Sequence, residues 1–231
     1  RKHKGSYMDL NQNVNENVDT GTLRIHLTNE SNGTPVQGAK ISISYTGNPS
    51  QTIEEVSADD SGNSEELTLN APPLEYSMEP SEEQPYAEYT IRVQAPGYRD
   101  ITVSAINVLP GETAIQNVRM EAEDAPGDRI DMVVIAAHTL YAEYPPKIPE
   151  DEIKPMNESG EIVLSRVVIP EYIVVHDGAP GDTTASDYYI RYRDYIKNVA
   201  SSEIYATWPD AAIRANVLAI MSFTLNRVYT E

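Results

Sequence analysis

Residues 187–231, DYYIRYRDYIKNVASSEIYATWPDAAIRANVLAIMSFTLNRVYTE, read as two helices joined by a short turn. In the first helix Tyr195, Ile196, Val199 and Ala200 recur at one-turn spacing, so one face is apolar while Lys197, Asn198 and Ser201 lie off it. That face is expected to pack and the other to stay wet. The second helix has an entry signal: Thr207 can cap with Asp210 three residues on, and Pro209 suits the first turn, where its missing N–H costs nothing. Its core stripe is Ile213, Val217, Ile220, Met221 and Thr224. Glu203 falls at the end of the first helix, beside Tyr205 and Trp208. A helix dipole and apolar neighbours both disfavour an ionised carboxylate there, which predicts an acid held in its protonated form. General-acid chemistry near neutral pH requires such a group. On pattern alone, a glutamate at a helix end is ordinarily a solvated surface residue.

Upstream, GEIVLSRVVIPEYIVVH (160–176) gives two β-rich runs broken at Pro170, which suits an edge or a bend. The loop HDGAPGDTTASD then leads to the helices. His176 with Asp177 is conceivable as a zinc or catalytic pair, but one histidine and one aspartate make a loop-capping pair the better reading. Tyr188, Tyr189, Tyr192 and Tyr195 are suited to stacking on sugar rings and equally to core packing.

The run DYIKNVASSEIYATWPDAAIRANVLAIMSFTLNR resembles the start of the catalytic domain of stage II sporulation protein D, a peptidoglycan lytic transglycosylase. There a D-Y-(L/I)-K-x-V-x-(A/S)-(S/A)-E segment leads into a W-P-x-x-A-(L/I)-(K/R)-A helix. With IVLSRVVIPEYIVVHDGAPGD before it, the region is similar to the clostridial spore cortex-lytic enzymes of the SleC type, over about residues 160 to 231. The resemblance implies that Glu203 protonates the glycosidic oxygen between N-acetylmuramic acid and N-acetylglucosamine. It then takes the proton of the muramic acid's own C6 hydroxyl, leaving an anhydro sugar. No partner carboxylate is needed, unlike the paired acids of ordinary glycosidases. Trp208, Tyr205, Tyr195 and Arg227 are the implied substrate-binding residues. The family's arginine after its A-V-A-A run is Met221 here; Arg227 either substitutes for it or is an ordinary helix-surface arginine. No cofactor or metal is implied. The chain begins with Arg1 and ends just after the second helix, so residues 160–231 are expected to be the N-terminal part of the catalytic domain, inactive in isolation.

Residues 1–20 are polar and Asn-rich, expected as a flexible lead-in. From Gly21 the pattern turns to short alternating strands. TLRIHLT, AKISISY, ELTLN, YTIRVQA, DITVSAINV and AIQNVRM are punctuated by NGTP, GNP, DDSGN, APP, APGY and LPGE, the pattern of an all-β sandwich. Residues 21–121 resemble the prealbumin-like fold of carboxypeptidase regulatory-like domains. The resemblance is carried by Gly21-Thr22-Leu23-Arg24, Pro35 to Ile43, the Asp59–Gly62 turn and Tyr89 to Val93 before Ala95-Pro96-Gly97-Tyr98. That module is usually structural. His26 has no second ligand at metal spacing, and the Asp59-Asp60 turn lacks a calcium ladder. Residues 122–159 read as a Pro-rich linker with an apolar patch, MVVIAAHTLY, that docks on one of the domains. Because the cortex-lytic relatives are made as zymogens, an activating protease is expected to cut in that linker. The whole is an α+β multidomain chain: a prealbumin-like sandwich, a linker, then a β-rich segment leading into two helices of a truncated catalytic domain.

Thirty-six acidic against 17 basic residues give a net charge of −19, which argues against a phosphate-backbone partner. Zero cysteines exclude disulfides and thiolate metal sites. No run of 18 apolar residues spans a membrane. Peptidoglycan glycan strands are the partner implied, at the cell wall or spore cortex. A second possibility is a non-catalytic wall-associated scaffold or adhesion protein.

Overall fold

Alternation along Asp19–Asn29 organises the first half of the molecule. In the computed structural model, which describes residues 18–79, 83–128, 130–137, 168–179 and 181–229, this segment is a strand. Leu23, Ile25 and Leu27 are buried on one of its faces, with Arg24 exposed and His26 half-buried on the other. Residues 1–17 of the expected lead-in, residues 138–159 of the linker and the strand-like run at 160–167 lie outside the described residues. The chain is β-rich with few helices and divides into two units, Arg1–Ala137 and His138–Glu231.

The first unit contains β1 (Asp19–Asn29), β2 (Lys40–Tyr45), β3 (Thr52–Ser57), β4 (Leu67–Ala71), the one-turn helix α1 (Glu75–Met78), β5 (Ala87–Gln94), β6 (Ile101–Val108), β7 (Thr113–Met120) and β8 (Met132–Val134). They form two sheets, in the orders β4-β1-β7 and β3-β2-β5-β6-β8. β1 pairs antiparallel with β4 and parallel with β7. The inner faces of both sheets share one core, in which Leu23, Ile25 and Leu27 meet Ile41, Ile43, Tyr89, Ile91 and Val93. Each such aliphatic side chain, removed from water, contributes about 1.5–3 kcal/mol relative to exposure. Two glycines are sterically fixed. A Cβ on Gly21 would lie 2.1 Å from the Leu109 carbonyl oxygen, and one on Gly62, at φ +76°, 2.4 Å from that of Leu27. β3 was not expected: only Val56 of its six residues is buried, so it lacks the alternation that marks a half-buried strand. β8 pairs parallel with β6, inside the segment expected to be a linker.

The second unit is built from β9 (Tyr172–His176), β10 (Asp187–Arg191), α2 (Tyr192–Ser201) and α3 (Asp210–Tyr229). Here the sequence expectation of helix from Asp187 is corrected: Asp187–Arg191 pairs antiparallel with β9, from Asp187 opposite His176 to Arg191 opposite Tyr172. The two strands share a period-two pattern, with Ile173 and Ile190 on the inner side. α2 starts only where Arg191 closes the hairpin. Its face of Tyr192 and Ile196, flanked by Tyr195, Val199 and Ala200, packs with Ile220, Val217, Met221 and Leu225 of α3. Thr224 is buried too, its hydroxyl donating to the Ile220 carbonyl at 2.8 Å. Pro209 sits one residue before α3, and its carbonyl accepts the Ile213 N–H at 3.1 Å, starting the helical ladder.

Candidate functional site

α2 ends in a pair of serines that fold back on it. The Ser201 and Ser202 hydroxyls donate to the Asn198 carbonyl at 2.9 and 3.0 Å, competing with continuation of the helix. The Glu203 and Ile204 N–H groups both donate to the Ala200 carbonyl at 3.0 Å, closing the last turn. Glu203 therefore lies just beyond α2, in the connection to α3.

Glu203 is exposed, which corrects the expected apolar enclosure. Tyr205 is 3% exposed and Trp208 is half-buried. From α3, Asn216 Nδ2 donates to Glu203 Oε2 at 2.7 Å. Asn216 Oδ1 is buried and accepts from no donor among the described residues. Asn216 escaped the sequence analysis because its polar side chain flanks the apolar stripe of Ile213, Val217 and Ile220 with no motif to mark it. Its register, three residues after Ile213 and four before Ile220, is the only signal that places it on the side of α3 facing the turn.

The remaining candidates scatter around this turn. Tyr205 lines an apolar groove of about 760 Å³ together with Ile196, Ala200, Ile213, Val217 and Met221. Arg191, Arg193 and Lys197 also line the groove, with a single acid, Glu171. Neither Glu203 nor Trp208 lines it, so the carboxylate and the groove are adjacent in sequence but are separate features. Tyr195 is half-buried against the core of this unit. Arg227 is exposed near the end of α3, its guanidinium 5.4 Å from the centroid of the Phe223 ring one turn earlier. Of the five predicted residues, Glu203, Tyr205 and Trp208 share the α2–α3 connection; Tyr195 belongs to α2 and Arg227 to the far end of α3.

The tyrosine cluster divides between two faces of the hairpin. Tyr189, 73% exposed, stacks on Tyr172 with centroids 4.9 Å apart and planes 8° from parallel, and Arg191 lies 5.8 Å over the Tyr172 ring. Tyr192 is buried, and its hydroxyl donates to the Met221 carbonyl at 3.4 Å. His176 is not paired with Asp177 as expected. Its Nδ1 lies 2.8 Å from Asp187 Oδ1 across the hairpin, and its Nε2 lies 3.1 Å from the Ala179 carbonyl. Both ring nitrogens thus face acceptors, and the hydrogen bond to Asp187, then that to Ala179, raises the imidazole pKa above its ordinary value. In the first unit, His26 Nδ1 bonds Asn63 Oδ1 at 2.9 Å, and Asp59 Oδ1 accepts the Ser61 and Asn63 N–H groups at 2.9 and 2.8 Å. These are turn-stabilising contacts.

No family model matches the chain, nor does any curated protein sequence. Solved structures that are similar to it include the Bacillus anthracis TIE protein, at 23% identity over 45% of this chain and 17% of that one, with a TM-score of 0.31. The minor pilin GBS52 of Streptococcus agalactiae is 13% identical over 48% of each chain, with a TM-score of 0.32. Catechol 1,2-dioxygenase from Pseudomonas arvilla C-1 is 14% identical over 49% of this chain and 56% of that one, with a TM-score of 0.34. The chain therefore spans about a sixth of the first of these and about half of the other two. Among the described residues, no helix is long and apolar enough to cross a membrane.

Proposed function

We propose that this chain carries the acid–base glutamate of a peptidoglycan lytic transglycosylase acting on the cell wall or spore cortex. The observation that carries the reading is Glu203 itself. It is an exposed carboxyl group at the α2–α3 connection, fixed by a side-chain amide, within the run that resembles the sporulation protein's catalytic segment. An exposed carboxyl reaches a polymeric substrate that a closed pocket would exclude. In the proposed reaction the protonated Glu203 gives its proton to the glycosidic oxygen as the C1–O bond breaks. The resulting carboxylate then takes the C6 hydroxyl proton as that oxygen closes on C1. The proton is returned, no water is consumed, and one carboxyl suffices.

The half-buried Trp208, in the same α2–α3 connection as Glu203, is the proposed sugar-stacking residue. Tyr205, which lines the apolar groove, and Tyr195, half-buried against the core of this unit, act as supports for the turn and for α2. Arg227 is held at the helix surface by Phe223 and is available to an anionic group. In this reading residues 21–121 serve as a structural prealbumin-like module, and the linker over residues 122–159 as the processing site for an activating protease.

The test is digestion of purified cortex peptidoglycan by this chain and by the protein expressed from its whole reading frame, each with and without Glu203→Gln. Mass spectrometry reads the products. Anhydromuramic products that disappear in Glu203→Gln are expected from the whole reading frame. Their absence from every preparation, including proteolytically trimmed ones, would leave the wall-associated scaffold as the better reading.

A further inference from the structure

We propose that Asn216 is a positioning residue that pairs with Glu203 in both protonation states through which the reaction passes; this rests on the transglycosylase reading above. Asn216 comes from α3, 13 residues after Glu203, and its Nδ2 donates to Oε2 at 2.7 Å. This orientation is the one that suits a carboxylate, because an ionised carboxyl group only accepts. The reversed amide would set two acceptors against each other.

The other end of the same amide is the informative one. Oδ1 is buried and has no donor among the described residues, an arrangement that folded proteins seldom leave without a reason. A leucine would fill the space without that cost but could not donate to Glu203. Nδ2 serves both protonation states, because a carboxyl group protonated on Oε1 keeps Oε2 as an acceptor. With Oε2 held by Asn216, Oε1 is the oxygen left to carry the proton towards the substrate. The Oδ1 without a donor is the mark of an amide kept at this place for its other end. Asn216 exchanges no proton. The proton leaves Glu203 for the glycosidic oxygen and returns from the C6 hydroxyl, while the amide keeps the carboxyl in one orientation through both steps.

The test has two arms. In the first, the side-chain amide resonances of Asn216 are followed in the ¹⁵N-labelled 231-residue chain. The titration runs from about pH 8 down to about pH 3, across the carboxylate range. A titration of those resonances that disappears in Glu203→Gln is expected. Resonances that stay fixed, or that move equally in Glu203→Gln, overturn the pairing.

In the second arm, anhydromuramic product formation is compared for Asn216→Leu and Asn216→Gln in the whole reading frame. Asn216→Leu is expected to lower kcat by about 10- to 100-fold, part of what general acid–base transfer supplies, with KM little changed. Asn216→Gln, which keeps a donor and an acceptor, should recover some of the loss. Equal losses in both variants, or a loss confined to KM, overturn the positioning role. If the unsubstituted protein yields no anhydro product, the transglycosylase reading falls, and the first arm alone decides the pairing.

Discussion

Ala105, in β6, has φ of +62°, a left-handed conformation that costs a residue with a Cβ roughly 1–2 kcal/mol. Its surroundings require it. The register between β5 and β6 shifts between Tyr89 and Ile91, and the turned-out Ala105 N–H donates to Thr46 Oγ1 at 3.3 Å. That hydroxyl is linked to Thr90 Oγ1 at 3.0 Å, which in turn meets Ser104 Oγ at 2.9 Å. The bulge therefore gives three hydroxyls partners between the strands. Replacing Ala105 by glycine relieves the strain, but adds about 0.5–1 kcal/mol of unfolded-state entropy. It also removes a buried methyl worth about 0.8 kcal/mol. The terms nearly cancel, so Ala105→Gly is expected to be neutral within about 0.5 kcal/mol, whereas Ala105→Val should destabilise by about 2 kcal/mol or more. Urea denaturation of the three proteins measures this. A loss of about 2 kcal/mol in Ala105→Gly, the behaviour of a buried strand alanine at ordinary φ, would refute the left-handed assignment.

Among the elements, the β9–β10 hairpin carries an imidazole whose pKa is raised by its hydrogen bonds. His176 closes it by spanning Asp187 and the Ala179 carbonyl, and only the imidazolium donates to both. Asp182 lies nearby, its carboxyl held below the usual range first by the hydrogen bond from the Thr184 hydroxyl and then by that residue's N–H. The folded pKa of His176 is raised above the ordinary 6.5, so its contribution is complete below that value and is lost as pH rises through the folded pKa. The unfolding midpoint of the native chain should exceed that of His176→Gln in mildly acidic solution, and the gap should close in alkaline solution. A gap that is constant or grows with pH would contradict the assignment. This hairpin also shows where the sequence was hard to read. β10 is five residues long and runs directly into α2, so its period of two is lost beside the helical pattern; what makes it a strand is a partner eleven or more residues upstream. β3 was hidden for the opposite reason, since at a sheet edge it buries one residue. β1, buried on alternate residues along a central strand, was plain. The α2–α3 pair and the position of Glu203 were legible from spacing and turn residues. Asn216 was not, because its role comes from a contact between helices.

At the scale of the whole molecule, the two units carry separate cores. One is formed by β1 to β7; the other joins Ile173, Tyr192, Ile196 and Ile220. Separate cores imply separable stabilities, since a substitution acts on the side chains it touches and on little beyond about 7–10 Å. Leu27 is fully buried in the central strand of the three-stranded sheet, and Ile220 is 8% exposed at the α2–α3 contact. Truncating either to alanine removes buried methyl groups and leaves a cavity, at about 2–5 kcal/mol. Leu27→Ala should therefore lower hydrogen-exchange protection along β1, β4 and β7 while leaving α2 and α3 as they were, and Ile220→Ala should do the reverse. The smaller unit has fewer buried side chains to lose, so Ile220→Ala should remove the greater share of its protection. Protection that falls together in both units after either substitution would mean that they unfold as one, and would contradict the separable stabilities that two cores imply.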